Sequence, residues 1–381
     1  MDAFFVSVET LANPSLAGRP VVVGGDPDGR GVVAAASYEA RTYGIRSAMP
    51  LRTAKRLCPH AIFLHSNLQN YASWSRRVHR IFEHYTPDVQ AVSIDEAYLD
   101  LIGTERLHGP GLAAAEAVKL EIKRKTKLNA SVGLATNKLV AKVASELAKP
   151  NGLCAVLPGF EANFLAPLAI ERLPGVGEAT KERLVALGVR RIGQLARIDK
   201  DLLVRTFGQW GAWLHEKANG VDTSPVEAWS LPKSVSRETT FSEDTADLEK
   251  MDRTLWRLVE RVGRELREEA LQARCLTLKL RYGDFSTVTR SVTLKEGSDL
   301  DPVIYEHVKE LFAKAYTRRG RVRLLGVGAS HFTSDAWQQT FVGDLDVGKL
   351  KKLYKAIDKV RDKFGVDALR VAKEQVEEEQ E

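Results

Sequence analysis

The sequence predicts an α+β protein of several domains, and three observations lead there. The chain has 381 residues, and one hydrophobic core stops growing near ~250–300 residues, so more than one core is needed. Helical periodicities and short apolar runs are mixed in the first part, whereas the last part carries strands of strict period-two alternation between amphipathic helices. Between them, Asp222 to Ser236 holds Pro225 and Pro232 without apolar periodicity, the composition of a connecting segment.

Each element follows in turn. Val21 to Val33 places two apolar runs around Gly24-Gly25-Asp26-Pro27-Asp28-Gly29 and reads as strand, turn, strand. Leu68 to Tyr85 has apolar residues at helical spacing, with Arg76, Arg77 and Arg80 among them, and Val89 to Leu101 reads as a buried hairpin. Helices are expected over Gly111 to Lys127 and Asn137 to Leu147, with a strand over Asn129 to Leu134. Lys149-Pro150-Asn151-Gly152 closes the second helix with turn chemistry. From Phe160 to Asn219 short helical pieces are punctuated by glycine, at Leu173-Pro174-Gly175-Val176-Gly177 and Ala186-Leu187-Gly188-Val189, which predicts a small all-helical domain. Asp247 to Leu271 is an amphipathic helix. Leu276, Leu278 and Leu280 then alternate with Thr277, Lys279 and Arg281 up to Tyr282, the pattern of a half-buried strand with a polar face. Phe285 to Leu294 and Arg321 to Phe332 repeat it, Val303 to Thr317 is helical, and Val347 to Val371 is a last helix before an acidic tail.

Hydrophobic residues at 44% and charged residues at 28% lie near globular averages. No apolar run nears the ~18 residues that a membrane span needs. The start, Met1-Asp2-Ala3-Phe4-Phe5, lacks the basic stretch of a secretory signal, so a cytoplasmic protein with no membrane partner is expected. Cys58, Cys154 and Cys275 are far apart and form no C-x-x-C, which suggests reduced, buried thiols rather than zinc or disulfides. The net charge is +6, and the tail residues Glu374, Glu377, Glu378, Glu379 and Glu381 mask a rest of the chain that is five charges more positive. Such a surplus suits a polyanionic partner, although ordinary basic proteins share it.

The sharpest constellation is Ser93-Ile94-Asp95-Glu96-Ala97-Tyr98-Leu99-Asp100, adjacent carboxylates inside an otherwise apolar hairpin. Two neighbouring anions in such a place need neutralising, and hard oxygen ligands at a strand turn suit Mg²⁺, which binds through one or two carboxylates and completes its shell with phosphates and water. An exposed Asp-Glu turn would read the same way in isolation. Ser37-Tyr38-Glu39-Ala40-Arg41 and Lys142 add a phenol, a guanidinium fork and an ammonium, the donor types a triphosphate needs during in-line displacement. Alone, each is an ordinary surface donor or core tyrosine. Together with the carboxylates they describe a nucleotidyl-transfer site.

These residues resemble a family. Met1-Asp2-Ala3-Phe4-Phe5-Val6-Ser7-Val8-Glu9 is similar to the opening Asp-Met-Asp-x-Phe-Phe-x-x-Val-Glu of Y-family translesion DNA polymerases, in the branch of bacterial DNA polymerase IV. Ala36 to Arg41, continued by Gly44-Ile45-Arg46-Ser47-Ala48-Met49-Pro50, resembles the fingers motif, and Ser93 to Asp100 the catalytic palm motif. Ser131-Val132-Gly133 through Ala148-Lys149-Pro150-Asn151-Gly152 resembles the lysine-bearing motif, and Lys233 to Phe241 the entry to the last domain. The resemblance runs in order over nearly the whole chain.

It implies a right-hand polymerase: palm at 1–3 and 67–155, fingers at 4–66, a helical thumb at 156–224 with a helix-hairpin-helix, a linker at 225–236, an α+β little finger at 237–333, and a C-terminal helix and acidic tail at 334–381. It implies template-directed DNA synthesis across damaged templates by two-metal catalysis, with primer-template DNA and a deoxynucleoside triphosphate as partners, two Mg²⁺ ions (Mn²⁺ as a substitute), and a monomeric state. Asp95 and Glu96 are then the catalytic metal carboxylates, joined by the Met1 backbone carbonyl, while Asp2 aligns with the second aspartate of the motif, which in relatives is not the main ligand, and is a candidate for the vacant metal place. Tyr38, Arg41, Lys142 and Phe4 bind the nucleotide, and Phe5 is the steric gate against a ribose 2′-hydroxyl, although the Phe4-Phe5-x-x-Val8 pattern by itself reads as core. Gly175 and Gly177 hold DNA phosphate through backbone N–H groups, and Lys279, Arg281, Arg290, Arg321 and Arg323 lie on a sheet face against the DNA backbone, with a solvated sheet face as the alternative. Gln338-Gln339-Thr340-Phe341-Val342 is a degraded form of the sliding-clamp peptide.

Two departures shape the expectation. Ala35 stands where many relatives have threonine, which removes a phosphate hydrogen bond worth about 1 kcal/mol. The first metal aspartate of the family falls immediately before Met1, so the chain as given is expected to be impaired in primer extension. The alternative is a catalytically inactive DNA-binding scaffold of the same fold.

Overall fold

Alternating strands and amphipathic helices build two units, Met1–Ser230 and Leu231–Glu381, in the computed structural model, which describes residues 1–228, 231–318, 320–334, 347–365 and 368–369.

The first unit opens with α1 (Phe4–Ala12), which buries Phe4, Val6 and Val8. Strand β1 (Val21–Val23), valine throughout and fully buried, pairs antiparallel with β2 (Ala35–Ala36) and parallel with a strand at Ile62–Leu64. Helix α2 (Tyr38–Thr42) begins at Ser37, whose hydroxyl accepts the Ala40 N–H and so fixes the helix start. Helix α3 (Leu51–Leu57) packs Leu51 and Ala54 against Val22, Val33 and Ile45, and the Ile62–Leu64 strand is β3. The second strand expected up to Val33 lies two residues later, as β2, and Val32 makes only an isolated bridge to Pro50.

Helix α4 (Leu68–Phe82), capped by Asn67, puts Tyr71, Val78 and Ile81 into a core with α1. A hairpin follows, β4 (Val89–Ala91) and β5 (Ala97–Leu99), with Val89 opposite Leu99. After the short α5 (Glu105–His108), α6 (Gly111–Thr126) adds Val118 and Ile122 to the same core. Strand β6 (Val132–Leu134), helix α7 (Lys138–Leu147) and strand β7 (Leu153–Ala155) form a crossover whose strands are parallel. The β4–β5 hairpin, expected to be buried, is only half-buried. The reason is that β5 and β6 each have one hydrogen-bonded neighbour and both line an open cavity.

Five short helices complete this unit: α8 (Glu161–Leu165), α9 (Glu178–Ala186), α10 (Ile192–Ala196), α11 (Lys200–Phe207) and α12 (Gln209–Ala218). Their core of Leu165, Ile170, Leu173, Leu184, Ile192 and Leu214 is shared with Leu139, Val140 and Val143 of α7. Helix α7 thus belongs to two packed layers at once.

The second unit is a four-stranded antiparallel sheet covered on one face. Its strands are β8 (Ser234–Thr245), β9 (Leu271–Tyr282), β10 (Thr287–Ser298) and β11 (Val322–Ser334), in the order β10-β9-β11-β8. Helices α13 (Leu248–Glu268) and α14 (Asp301–Ala315) bury Leu255, Val259, Val262, Ile304 and Val308 against Leu276, Leu278 and Leu280. The last helix, α15 (Val347–Phe364), is tied to α13 by Arg361–Glu260 at 2.9 Å and Arg267–Asp358 at 2.6 Å. Register corrects one expectation. Arg290 lies opposite Leu278, so it is on the Leu278 side of the sheet and not on the polar face with Lys279, while staying exposed on the edge strand β10. Gln338 to Val342 and the acidic tail from 370 onward lie outside the described residues. Among the described residues no helix is long and apolar enough to cross a membrane.

The seat of α7 gives a direct test of the first unit. A Cβ on Gly133 of β6 would lie 2.0 Å from the Ala141 carbonyl oxygen and 2.5 Å from the Ser145 nitrogen. Gly133→Ala is therefore expected to destabilise this unit by roughly 3 kcal/mol, read as a fall in its thermal unfolding midpoint while the second unit melts unchanged.

Candidate active site

The turn of the β4–β5 hairpin is drawn tight by the Glu96 carbonyl oxygen, which accepts the Val92 and Ser93 N–H groups at 2.9 and 3.2 Å. Asp95 and Glu96 thereby stand on the wall of a cavity of about 720 Å³, lined also by Met1, Tyr98, Lys142, Glu146 and Lys149. The Ser93 hydroxyl donates to Asp95 Oδ1 at 2.9 Å. The α-amino group of Met1 donates to the Asp95 carbonyl oxygen at 2.8 Å and lies 4.0 Å from its carboxylate. Lys142 Nζ meets Glu96 Oε1 at 2.6 Å and Glu146 Oε1 at 3.7 Å, and Lys149 holds Glu146 at 2.5 Å. Acids and lysines therefore alternate along the wall. Burial works against the charge on Lys142, but Glu96 and then Glu146 outweigh it and raise its pKa above the ordinary value. Burial likewise opposes ionisation of Glu146, and Lys149 and Lys142 reverse this and lower its pKa.

Asp2 is the second centre. It is 3% exposed. Its Oδ1 accepts the Ser131 hydroxyl at 2.8 Å and the Tyr38 hydroxyl at 3.3 Å, and its Oδ2 accepts the Asn151 N–H at 2.8 Å. Expected as a further metal ligand, Asp2 instead has both carboxylate oxygens engaged in tying α2, β6 and the 149–152 turn together. Burial and then the Asp2 charge push the Tyr38 phenol up to about 12, so it stays a donor at neutral pH. The Arg41 guanidinium lies 4.8 Å from the centre of the Tyr38 ring and donates to the Ala36 carbonyl at 3.1 Å. Tyr38 borders a smaller cavity of about 290 Å³ with Ser37 and Lys127, and Asp2 accepts from both Tyr38 and Ser131, of which Ser131 lines the large cavity.

The two phenylalanines separate. Phe5 is half-buried and stacks on Tyr71, with ring centres 4.2 Å apart, while Tyr71 donates to Glu9 at 2.6 Å. Phe4, expected to touch the nucleotide, is 3% exposed within the core, which leaves its ring no free face. Gly175 has φ +93°, and a Cβ there would meet Trp213 at 2.7 Å. Gly177 precedes α9 with open space around it. In the second unit Lys279 pairs with Glu238 at 2.6 Å and Arg281 donates to Thr287 at 2.9 Å. Arg321 is exposed just before β11, and Arg323, at the β11 bulge, lies over Phe285 at 4.6 Å.

Sequence reasoning passed over Lys149, Glu146, Ser131 and Asn151. Ser131, Lys149 and Asn151 were legible as members of the lysine-bearing motif but without a role of their own, whereas Glu146 stands four residues after Lys142, a helical neighbour that spacing alone reveals. Among the described residues no group of three or more His, Cys, Asp or Glu is placed to hold a metal ion. Asp95 and Glu96 nevertheless fit Mg²⁺, as two hard carboxylates on the wall of a cavity open to a phosphate-bearing substrate.

Known proteins match the chain along its length. The sequence pattern of the impB/mucB/samB family covers residues 1–146, that of its C-terminal domain residues 232–341, and that of the DNA polymerase-iota thumb domain residues 171–222. DNA polymerase IV of Dehalococcoides mccartyi strain CBDB1 is 41% identical over 374 residues, 98% of this chain and 95% of that protein. DNA polymerase IV of Desulfatibacillum aliphaticivorans is 43% identical over 368 residues, 96% of this chain and 93% of that protein. The chain belongs to the Y family of DNA polymerases. It shares their fold as well. A Y-family polymerase chimera of Dbh and Dpo4 superposes with a TM-score of 0.77 at 28% identity, covering 88% of this chain and 98% of that one. DinB from Sulfolobus solfataricus gives 0.60 at 28% identity, with the same coverage. The chain is accordingly a DNA-directed DNA polymerase with palm, thumb and little-finger domains.

The Asp2 centre of this Y-family site can be tested by stability alone. Asp2→Ala leaves the Ser131 hydroxyl and the Asn151 N–H without their acceptor and is expected to cost about 2–3 kcal/mol. Asp2→Asn, which keeps one oxygen, should cost less. Chemical denaturation of the three proteins checks the order.

Proposed function

We propose that this Y-family polymerase carries out template-directed synthesis across damaged bases, transferring a nucleotide from a deoxynucleoside triphosphate to a primer 3′-hydroxyl at the cavity wall formed by Asp95, Glu96 and Lys142. The observation that carries this reading is the 2.6 Å contact between Lys142 and Glu96. Without substrate each neutralises the other. A triphosphate presents more negative charge than one carboxylate, so Lys142 turns to it and leaves Glu96 as an open oxygen ligand. When bound, two Mg²⁺ ions held by Asp95 and Glu96, or Mn²⁺ in their place, would supply charge for the departing pyrophosphate and acidify the primer hydroxyl. Lys149 stands on the same wall, and Tyr38 and Arg41 add donors for the phosphate chain. Phe5, braced by Tyr71, closes the sugar position as a rigid ring.

DNA is held elsewhere in the same reading. The Gly175–Gly177 turn offers backbone N–H groups ahead of α9, which grip phosphate without reading bases. Lys279, Arg281, Arg321 and Arg323 offset backbone charge from the second unit. The solved relative described as an insertion ternary complex of Dbh DNA polymerase, with a TM-score of 0.62 at 27% identity, supports DNA and nucleotide together as ligands.

Primer extension tests the reading. The wall offers two carboxylates to its metals. Asp95→Ala and Glu96→Ala are each expected to bind primer-template DNA as the parent does and to lose most Mg²⁺-dependent extension. Phe5→Ala should raise ribonucleotide insertion relative to deoxyribonucleotide insertion. Unchanged sugar selection returns Phe5 to the core, and parental extension by Asp95→Ala or Glu96→Ala would overturn the reading.

A further inference from the structure

The start of α7 is fastened to the end of the thumb by an unusual convergence of contacts. Asp222, just beyond α12, is nearly buried, with its side chain 8% exposed. Its Oδ2 accepts the backbone N–H of Leu139 in the first turn of α7 at 3.2 Å. Its Oδ1 meets Lys217 Nζ of α12 at 2.5 Å and accepts the Ser224 hydroxyl at 2.7 Å. Burial works against its charge, yet the hydrogen bonds from Lys217 and Ser224 prevail and hold the carboxyl below its ordinary range. Two further contacts brace the junction: Asn137 Nδ2 donates to the Gly220 carbonyl at 2.8 Å, and Lys138 Nζ donates to the Pro225 carbonyl at 2.6 Å.

An anion at a helix N-terminus satisfies an N–H that the helix cannot and favours the helix dipole. Here the anion comes from another domain, and its cation sits on a third element. Lys217 also lies 5.5 Å from the Trp213 ring, the ring that a Cβ on Gly175 would strike at 2.7 Å. At the other end, α7 carries Lys142 to Glu96. One packed series therefore runs from the thumb turn at Gly175 to the carboxylate wall, and Asp222 is its link between domains.

We propose that Asp222 is a positioning residue that couples the thumb to the nucleotide site, fixing α7 so that Lys142 meets the triphosphate when the thumb holds DNA. This rests on the polymerase reading for the roles of Lys142 and of the thumb turn. Asp222→Ala removes the contacts to Leu139, Lys217 and Ser224, while Asp222→Asn keeps an acceptor for the Leu139 N–H and loses the ion pair.

The test is nucleotide affinity of the complex with primer-template DNA, measured by equilibrium titration of a deoxynucleoside triphosphate in Mg²⁺, beside amide exchange of residues 139–142. Asp222→Ala is expected to weaken nucleotide binding about tenfold, with Asp222→Asn in between and DNA affinity within about twofold of the parent. In a Lys142→Ala background the Asp222→Ala change should add less than about twofold, because the two act through one contact. DNA binding should slow exchange at 139–142 in the parent and leave it unaltered in Asp222→Ala. Equal losses in both backgrounds, or a folded Asp222→Ala protein with parental nucleotide affinity and parental exchange, would overturn the proposal. A parent that binds neither DNA nor nucleotide would instead sink the polymerase reading, and basal exchange at 139–142 would then decide for Asp222 if faster in the alanine variant and against it if equal.

Discussion

Helix α7 buries one side among the thumb helices, lies directly on Gly133 of β6, and presents Lys142 to Glu96 at 2.6 Å. The rest of the site depends on that ion pair. It neutralises one of two adjacent carboxylates on a half-exposed hairpin, which would otherwise repel each other across the turn. In the proposed reaction it also holds Lys142 in reserve for a substrate with more negative charge than the acid. The pair is partly solvated, so its contribution to stability is small. Its importance lies in placement.

Asp2 plays the complementary part. Three donors from separate elements converge on its carboxylate, and this buried centre fixes Tyr38 and the turn bearing Lys149 relative to the wall. A buried carboxylate with its oxygens satisfied organises its neighbours, because moving any of them leaves a polar group unpaired. Reading Asp2 as a metal ligand overlooked this, since an acid in a motif looks the same whether it faces a cation or three hydrogen-bond donors.

Much of the fold was legible because its signals are local. Leu276, Leu278 and Leu280 alternate with polar residues and lie on the covered face of the sheet, as period two requires. The apolar spacing of 137–147 forecast α7, and the adjacent Asp95 and Glu96 marked the wall. What failed were relations between segments. Arg290 looked like its polar neighbours until strand register placed it opposite Leu278, and Phe4 could not be told from Phe5 until tertiary packing buried one and stacked the other on Tyr71. The contacts of Asp222 were out of reach for the same reason: its partners Leu139 and Lys217 come from α7 and α12.

Glu96→Gln separates the proposed exchange of Lys142 from Glu96 to the triphosphate from a merely catalytic role for the acid. The variant removes the anion that competes for Lys142. Nucleotide affinity of the primer-template complex, titrated without divalent metal, should be tighter in Glu96→Gln than in the parent, and the order should reverse once Mg²⁺ is added and an acid is needed. Unchanged or weaker metal-free binding in Glu96→Gln would contradict the exchange and leave the Lys142–Glu96 pair as a structural contact alone.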